Sequence, residues 1–251
     1  MTELEFHRLL CFGLLVVAAL VFVLLFWITA PYGRHHGGRW GPSIPSRVGW
    51  IVMEAPAVVF FIAVYALGEG RLAPVPLVLL ALWQLHYLNR TLIYPWRARG
   101  QKRMPLTIVG MALCFSFINP YINARHLSHF GDYGVDWFSD PRFGIGAVAM
   151  LIGFGINNWA DGVLMRLRKP GESGYRIPEG GLYRWVTCPN YLGEIIEWIG
   201  WAIATWSLPG LCFAVFTVAN LAPRALSNHR WYRRTFADYP SDRRALIPGI
   251  W

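Results

Sequence analysis

The stretch CPNYLGEIIEWIGWAIATWSLPG, residues 188–210, combines the composition of a membrane-spanning helix with polar side chains that can do chemistry. Asn190, Glu194 and Glu197 follow one another at intervals of four and three, so they share one face of a helix. Ionisable groups at membrane depth are costly unless they pair or line a polar cavity, and they commonly mark functional sites. The spacing therefore predicts that this face binds a polar ligand.

Polar side chains at helical spacing recur in three other segments. The three faces are Tyr87, Arg90 and Tyr94; Asn157, Asp161 and Arg168; and Arg224, Asn228 and Tyr232. A further carboxylate, Glu54, lies alone in the apolar stretch GWIVMEAPAVVF. Each group by itself fits an interhelical hydrogen bond equally well, but the whole set indicates a cavity of mixed donors and acceptors. Such a cavity suits an elongated polar ligand better than a simple ion.

The composition is typical of a membrane protein. Apolar residues make up 55% of the 251 residues and charged residues only 15%, against about 25% charged in soluble domains. A membrane-spanning helix needs about 20 predominantly apolar residues. The candidate spans are residues 9–30, 48–67, 73–95, 105–124, 143–165, 190–207 and 209–226. We therefore predict an all-α integral membrane protein, a single membrane domain over residues 1–251 that forms a seven-transmembrane-helix bundle.

The net charge of +9 is distributed as a membrane topology requires. With the N-terminus outside, three, four, five and six Lys or Arg residues fall in the inner segments 31–47, 96–104, 166–189 and the tail after 223. The outer segments hold only Arg8, Arg71, Arg125 and Arg142. This bias predicts a cytoplasmic C-terminus, in a bacterial inner membrane or the endoplasmic reticulum membrane. Because topology accounts for the basic residues, we expect no nucleic acid partner.

The sequence gives no metal motif and no soluble-type nucleotide fold. The cysteines have no CxxC spacing and the histidines lack partners at ligand spacing, so we expect no metal site. The GFGINN stretch lies in an apolar segment with no strand before it, which excludes a Rossmann fold. The loop 166–191 interleaves arginines with tyrosines, which suit phosphate oxygens and a nucleotide base. Any nucleotide is therefore expected inside a membrane bundle.

Long motifs of the chain resemble the steroid 5α-reductase family, most of all its type 2 enzyme. The motifs are RKPGESGYRIPEGGLYRWVTCPNYLGEIIEWIGWAIATWSLPG, DYPSDRRALIP, HYLNRTLIYP and DWFSDPRFGIG. They extend over nearly the whole chain, and its length and seven-span topology agree with the family. The chain is thus expected to be a bacterial or distant homologue.

The resemblance implies NADPH-dependent reduction of the C4–C5 double bond of a 3-oxo-Δ4-steroid to the 5α-3-oxosteroid. Positions matching Glu54 and Tyr87 hold the 3-keto oxygen in that family, so both are expected catalytic and substrate-binding residues. Hydride transfer to C5 builds negative charge on this oxygen. A tyrosine hydroxyl and a protonated carboxyl group can stabilise that charge by donating hydrogen bonds. Trp198 is expected to line the steroid pocket.

The resemblance also implies NADPH contacts, most of them in the half of the chain from about residue 143 to 251. The expected cofactor-binding residues are Trp50, Tyr94, Asn157, Asp161, Arg168, Tyr175, Asn190, Glu194, Arg224, Asn228 and Tyr232. Asn190 and Glu194 are expected at the nicotinamide end, and Arg168 and Arg224 at phosphate. Glu197 is expected to brace the bundle or the steroid wall. Steroid and membrane lipid are the other expected partners of a monomeric protein.

Three other functions fit part of the pattern. A reductase of another enone lipid or sterol would use the same site. An enzyme like the isoprenylcysteine methyltransferases would bind S-adenosylmethionine in a related bundle, although Glu54 and Tyr87 in early helices argue against it. A transporter with a polar central pathway would show repeat symmetry and broken helices in matching halves, which the sequence lacks. Binding of NADPH separates the reductases from the other two.

Overall fold

The computed structural model describes residues 1–29, 40–98, 103–167 and 174–251, and the protein is mostly helical within them. The α-helices are α1 Glu3–Trp27, α2 Ser46–Ala66, α3 Pro74–Leu88, α4 Tyr94–Arg97, α5 Leu106–Arg125, α6 Pro141–Arg166, α7 Pro189–Thr205 and α8 Leu208–Thr235. Two antiparallel strands, β1 Ser43–Pro45 and β2 Arg103–Pro105, pair at one end of the bundle. The shorter helical segments are π-helical at Asn89–Ile93 and His126–Phe130 and 3-10 helical at Val135–Ser139 and Gly181–Arg184.

The helices differ from the predicted spans chiefly at two ends. Helix α1 begins at Glu3 instead of residue 9, because Thr2 and Glu5 form a capping box that satisfies backbone N–H groups there. Helix α8 continues to Thr235, nine residues beyond the predicted end at 226. Hydropathy alone ends a span where polar residues begin, but Asn228 is buried in this structure and the helix continues through it.

Within the described residues, five helical segments are long and apolar enough to cross a membrane, judged by length and composition. They are Glu3–Trp27, Ser46–Ala66, Leu106–Phe130, Pro141–Arg166 and Leu208–Thr235. Helix α1 is the most apolar, yet only 17% of its most hydrophobic window is buried within the protein. Exposure of so large an apolar surface to water is unfavourable, so this surface of α1 is suited to contact with lipid.

The closest helix–helix packing joins α6 and α7 through facing glycines. A Cβ atom on Gly153 would meet the backbone of Gly193 and Glu197, and one on Gly193 would meet the backbone of Asn157. Gly146 of α6 and Gly200 of α7 repeat this contact nearer the other end of the pair. Small residues allow helix backbones to approach this closely in membrane proteins. The polar residues of α6 and α7 are therefore held face to face.

A tryptophan-rich core packs the other helices onto this pair. Trp83, Trp198 and Trp201 are all almost fully buried. The Trp83 indole N–H donates to the carbonyl oxygen of Ala57 at 2.9 Å, and that of Trp201 donates to Asn123 Oδ1 at 2.9 Å. Since buried indole N–H groups need such partners, these bonds fix α2 against α3 and α5 against α7.

The glycine contact predicts unequal effects of two alanine substitutions in α6. Gly153→Ala places a methyl group against the α7 backbone and should lower the free energy of unfolding by about 1–3 kcal/mol, as overpacking does. Gly155→Ala is the matched control, because a Cβ atom there meets nothing within 4 Å. Thermal unfolding of the detergent-purified proteins measures the difference. Equal melting temperatures for the two variants would contradict the tight α6–α7 contact.

Candidate functional site

One cavity of about 590 Å³ collects the predicted site residues. Its lining includes every one of them that the structure describes: Trp50, Glu54, Tyr87, Tyr94, Asn157, Asp161, Tyr175, Asn190, Glu194, Trp198, Arg224, Asn228 and Tyr232. Arg168 lies outside the described residues. The structure thus brings together side chains from α2, α3, α4, α6, α7 and α8, whereas their roles stay predictions.

The lining is apolar on one set of helices and polar on another. Helices α1 and α5 contribute apolar side chains such as Leu24, Leu25, Met111 and Phe115. Helices α6, α7 and α8 contribute most of the amide, carboxylate and guanidinium groups. The cavity can therefore accept an apolar molecule and a polar one side by side.

Tyr87 has a rigid aromatic setting in this cavity. Its ring centroid lies 4.9 Å from that of Trp83 and 5.8 Å from that of Trp198. The side chain of Glu54, on the neighbouring helix α2, is only 15% exposed. A phenol and a carboxyl group held at the border between apolar and polar walls suit the polar end of a largely apolar ligand.

Arg90 is the central cation of the site. Its guanidinium lies 3.6 Å from Glu54 Oε1 and 4.0 Å from Asp161 Oδ2. It also stacks over the rings of Trp50 and Tyr94, at 4.7 and 4.6 Å from their centroids. This geometry compensates buried carboxylates from α2 and α6 at once, so Arg90 ties the two halves of the cavity together.

Sequence reasoning placed Arg90 on the correct helix face but gave it no function. It is the only charged residue of the predicted span 73–95, which is the signal that pointed to it. The contacts of Arg90 with Glu54 and Asp161 could not be predicted from helical spacing, because the chain is π-helical over Asn89–Ile93. Single π-helical turns are frequent at functional sites and change which side chains share a face.

An amide–carboxylate network crosses the α6–α7 contact. Asn157 Nδ2 donates to the backbone oxygen of Asn190 at 3.0 Å and to Glu194 Oε2 at 3.3 Å. Asn190 Nδ2 donates to Asp161 Oδ1 at 3.0 Å. The network leaves amide and carboxylate groups on the cavity wall, where they offer the donors and acceptors that a carboxamide requires.

Helix α8 and the loop before α7 complete the polar end. Arg224 donates to the hydroxyl oxygen of Tyr191 at 3.1 Å and itself lines the cavity. Tyr175 packs its ring 4.9 Å from that of Trp231. An arginine and aromatic rings at one end of a cavity suit a phosphate and a nucleotide base.

The C-terminal tail supports this end of the cavity from behind. Thr187, which lines the cavity, lies 2.7 Å from the hydroxyl group of Tyr239 and donates to the carbonyl oxygen of Arg244 at 3.0 Å. Burial raises the pKa of Tyr239, so this hydroxyl group stays neutral and keeps its hydrogen bond.

Glu197 does not face the cavity, although it follows Asn190 and Glu194 at helical spacing. It is 1% exposed and its Oε1 lies 2.8 Å from Nδ1 of His86, which does line the cavity. Sequence reasoning considered His86 only as a metal ligand and gave it no other role, because no local spacing relates it to a residue of α7.

The residues present fit a reduced nicotinamide nucleotide better than a metal ion. Asn190 and Glu194 offer acceptor and donor groups for a carboxamide, and Arg224 is suited to phosphate oxygens. Among the residues that the structure describes, no group of three or more His, Cys, Asp or Glu side chains could hold a metal.

The sequence is similar to those of proteins named as steroid reductases. The family model for 3-oxo-5-alpha-steroid 4-dehydrogenase matches residues 102–251. The steroid 5-alpha-reductase DET2 of Solanum lycopersicum is 44% identical over 245 residues, which cover 96% of this chain and 95% of that protein. The 3-oxo-5-alpha-steroid 4-dehydrogenase 1 of Macaca fascicularis is 46% identical over 221 residues, 87% of this chain and 84% of that protein. Its Homo sapiens counterpart is 45% identical over 221 residues.

The central position of Arg90 predicts a large loss of stability on its removal. Arg90→Met leaves Glu54 and Asp161 without their shared cation, which should cost about 3–5 kcal/mol of unfolding free energy. Adding Asp161→Asn should restore part of the loss, because one uncompensated charge is then removed. Chemical unfolding followed by tryptophan fluorescence measures both. Arg184→Met, at an exposed arginine, is the control. If Arg90→Met lowered the free energy of unfolding as little as Arg184→Met, Arg90 would not be the cation that balances the buried carboxylates.

Proposed function

Because the chain belongs to the 3-oxo-5-alpha-steroid 4-dehydrogenase family, we propose that it uses NADPH to reduce the C4–C5 double bond of a 3-oxo-Δ4-steroid, giving the 5α-3-oxosteroid. The observation that carries this proposal is the single cavity lined by Glu54, Tyr87 and the amide–carboxylate network of α6 and α7. An apolar steroid with one ketone matches the apolar wall and its polar border. The nucleotide matches the polar end.

Tyr87 and Glu54 hold the ketone oxygen in this proposal. NADPH, when bound, supplies the hydride that C5 of the steroid receives. As C5 receives it, electrons of the enone move to the ketone oxygen, which becomes negative. The Tyr87 hydroxyl stabilises this oxygen by donating a hydrogen bond, and the Glu54 carboxyl group donates a second one in the state in which it carries a proton. The Arg90 guanidinium, 3.6 Å from Glu54 Oε1, adds positive potential where the negative charge forms.

The remaining predicted residues hold the cofactor. Asn190 and Glu194 bind the nicotinamide carboxamide, and Arg224 together with Arg168 binds phosphate. The polar and aromatic groups that complete the binding site are Trp50, Tyr94, Asn157, Asp161, Tyr175, Asn228 and Tyr232. Trp198, which packs 5.8 Å from Tyr87 between ring centroids, forms part of the steroid wall. The cofactor-binding half is residues 143–251 within one membrane domain.

The protein crosses its membrane seven times in this proposal, with the N-terminus outside and the C-terminus in the cytoplasm. The two further spans are α7 and the nearly continuous helical run from Pro74 to Arg97, which join the five segments that satisfy the length and composition criteria. The distribution of Lys and Arg supports this orientation in a bacterial inner membrane or the endoplasmic reticulum. The functional unit in this proposal is a monomer.

The proposed reaction is tested by turnover of the detergent-purified protein with NADPH and testosterone or progesterone, with the 5α-reduced product followed by mass spectrometry. Formation of that product supports the proposal. NADPH binding without product points to a different enone lipid or sterol as substrate. Failure to bind NADPH would overturn the reductase assignment and favour a methyltransferase-like enzyme.

Loss of the Tyr87 hydroxyl group should slow reduction without releasing the cofactor. We expect Tyr87→Phe to lower turnover by about 10²-fold or more, the scale of losing an oxyanion donor, while NADPH affinity changes little. Tyr65→Phe is the matched control, because Tyr65 is buried in the same core but lies outside the cavity lining. Unchanged turnover in Tyr87→Phe would remove this residue from the mechanism.

Removal of the Glu194 carboxylate should weaken cofactor binding. Glu194→Ala deletes a cavity-lining acceptor, which lies 3.3 Å from Asn157 Nδ2, and we expect a higher dissociation constant for NADPH. Fluorescence titration of NADPH measures the change, with the exposed Glu69→Ala as control. Equal affinities in the two variants would leave Glu194 with only a structural role.

A further inference from the structure

The buried carboxylate of Glu197 orients the imidazole of His86 at the cavity wall. His86 lines the cavity, whereas Glu197 lies behind it and is 1% exposed. Nδ1 of the imidazole is held by Glu197 Oε1 at 2.8 Å. The other ring nitrogen, Nε2, makes no hydrogen bond to a described residue, so it is the nitrogen left for a bound ligand. A carboxylate in this position fixes the tautomer of an imidazole and stabilises its protonated form.

The burial of this pair favours one bound proton. A carboxylate with 1% side-chain exposure is costly unless a cation or a proton balances it. Glu197 Oε2 has no hydrogen-bond partner in the described part of the chain, so His86 is the only direct contact that balances this carboxylate. With one proton on the imidazole, the pair carries no net charge. After giving that proton away, the pair becomes an uncompensated anion that strongly favours taking up another proton.

The position of the pair beside Tyr87 matches the second half of the proposed reaction. The rings of His86 and Tyr87 lie 5.0 Å apart between centroids, and His86 also packs at 4.7 Å from Trp198. In the proposed reaction Tyr87 holds the ketone oxygen. Atom C4 is bonded to the ketone carbon, so a group that protonates C4 must lie close to Tyr87. Of the imidazole groups, only that of His86 lines this cavity in the described residues.

We propose that His86, oriented by Glu197, donates the proton that C4 of the substrate takes up. This inference rests on the proposed steroid reduction and assigns the source of its proton. The reduced nicotinamide would supply the hydride for the new C5–H bond and leave oxidised; the C4–C5 double bond becomes the C3–C4 double bond of an enolate, whose negative charge lies on the ketone oxygen. The enolate then re-forms the ketone as C4 takes the proton from His86 Nε2. Neutral His86, still bonded to the Glu197 carboxylate, regains a proton from water.

Other charged groups around His86 set the background for this transfer. The imidazole interacts electrostatically with Glu54 of α2, Arg90 of the π-helical segment and Glu194 of α7. Its direct neighbours are the Glu197 carboxylate and the Tyr87 ring. Burial disfavours a positive charge on the imidazole most strongly, the carboxylates attract that charge, and Arg90 repels it. In this proposal His86 is the proton donor, and Glu197 is the positioning residue that holds its imidazole through Nδ1.

The test uses the variant His86→Gln and follows both the hydride that C5 receives and the proton that C4 receives. Turnover should fall by about 10²–10⁴-fold, the range of general acid catalysis. The solvent deuterium isotope effect should grow and the isotope effect of deuterated NADPH should shrink, because protonation then limits the rate. In D2O the unchanged protein should deliver deuterium to a single face of C4, and His86→Gln to both faces. NADPH affinity serves as the folding check, and the exposed His129→Gln is the matched control.

Glu197→Gln provides an independent test, since it keeps a hydrogen-bonding group of the same size. Loss of the carboxylate destabilises the protonated imidazole, so the alkaline limb of the pH profile of kcat should move to lower pH. A limb that stays in place would overturn the proposal, even if His86→Gln fails to fold. Full turnover with single-face deuteration in His86→Gln would overturn the proton assignment alone. Absence of steroid reduction by the unchanged protein would overturn both proposals.

Discussion

The close contact between α6 and α7 is the constraint on which the site depends. Gly153 and Gly193 let the two backbones touch, and only at this spacing can Asn157 reach both Asn190 and Glu194 across the interface. A wider gap would leave buried amide and carboxylate groups without partners, which costs more than the lost packing. The polar end of the cavity is thus a direct consequence of small residues in two apolar helices.

Charge balance joins this polar end to the rest of the bundle. Arg90 lies between carboxylates of α2 and α6, and its guanidinium packs over two aromatic rings. His86, four residues earlier, is paired with Glu197 of α7. Both contacts tie the helical run that contains Tyr87 to helices on either side. Compensation of buried charge therefore also sets where the proposed ketone-holding group lies relative to the proposed nucleotide site.

Much of the site could be predicted because polar groups in apolar helices are costly and repeat with the helical period. That reasoning gathered residues such as Asn190, Glu194 and Tyr87, and the resemblance to a known family added the expected roles of Glu54 and Tyr87 at a ketone. All of these line the same cavity. The contact between His86 and Glu197, 111 residues apart, could not be predicted from the sequence, because it depends on how two helices cross. The π-helical turn and the extended end of α8 were missed because local hydropathy carries no information on tertiary contacts.

The most direct measurement is an experimental structure of the protein with NADP+ and a 3-oxo-Δ4-steroid. The account predicts both ligands in the one cavity, with the ketone oxygen within hydrogen-bond distance of Tyr87 and the carboxamide on Asn190 and Glu194. Steroid density outside this cavity, or a ketone turned away from Tyr87 and Glu54, would contradict it.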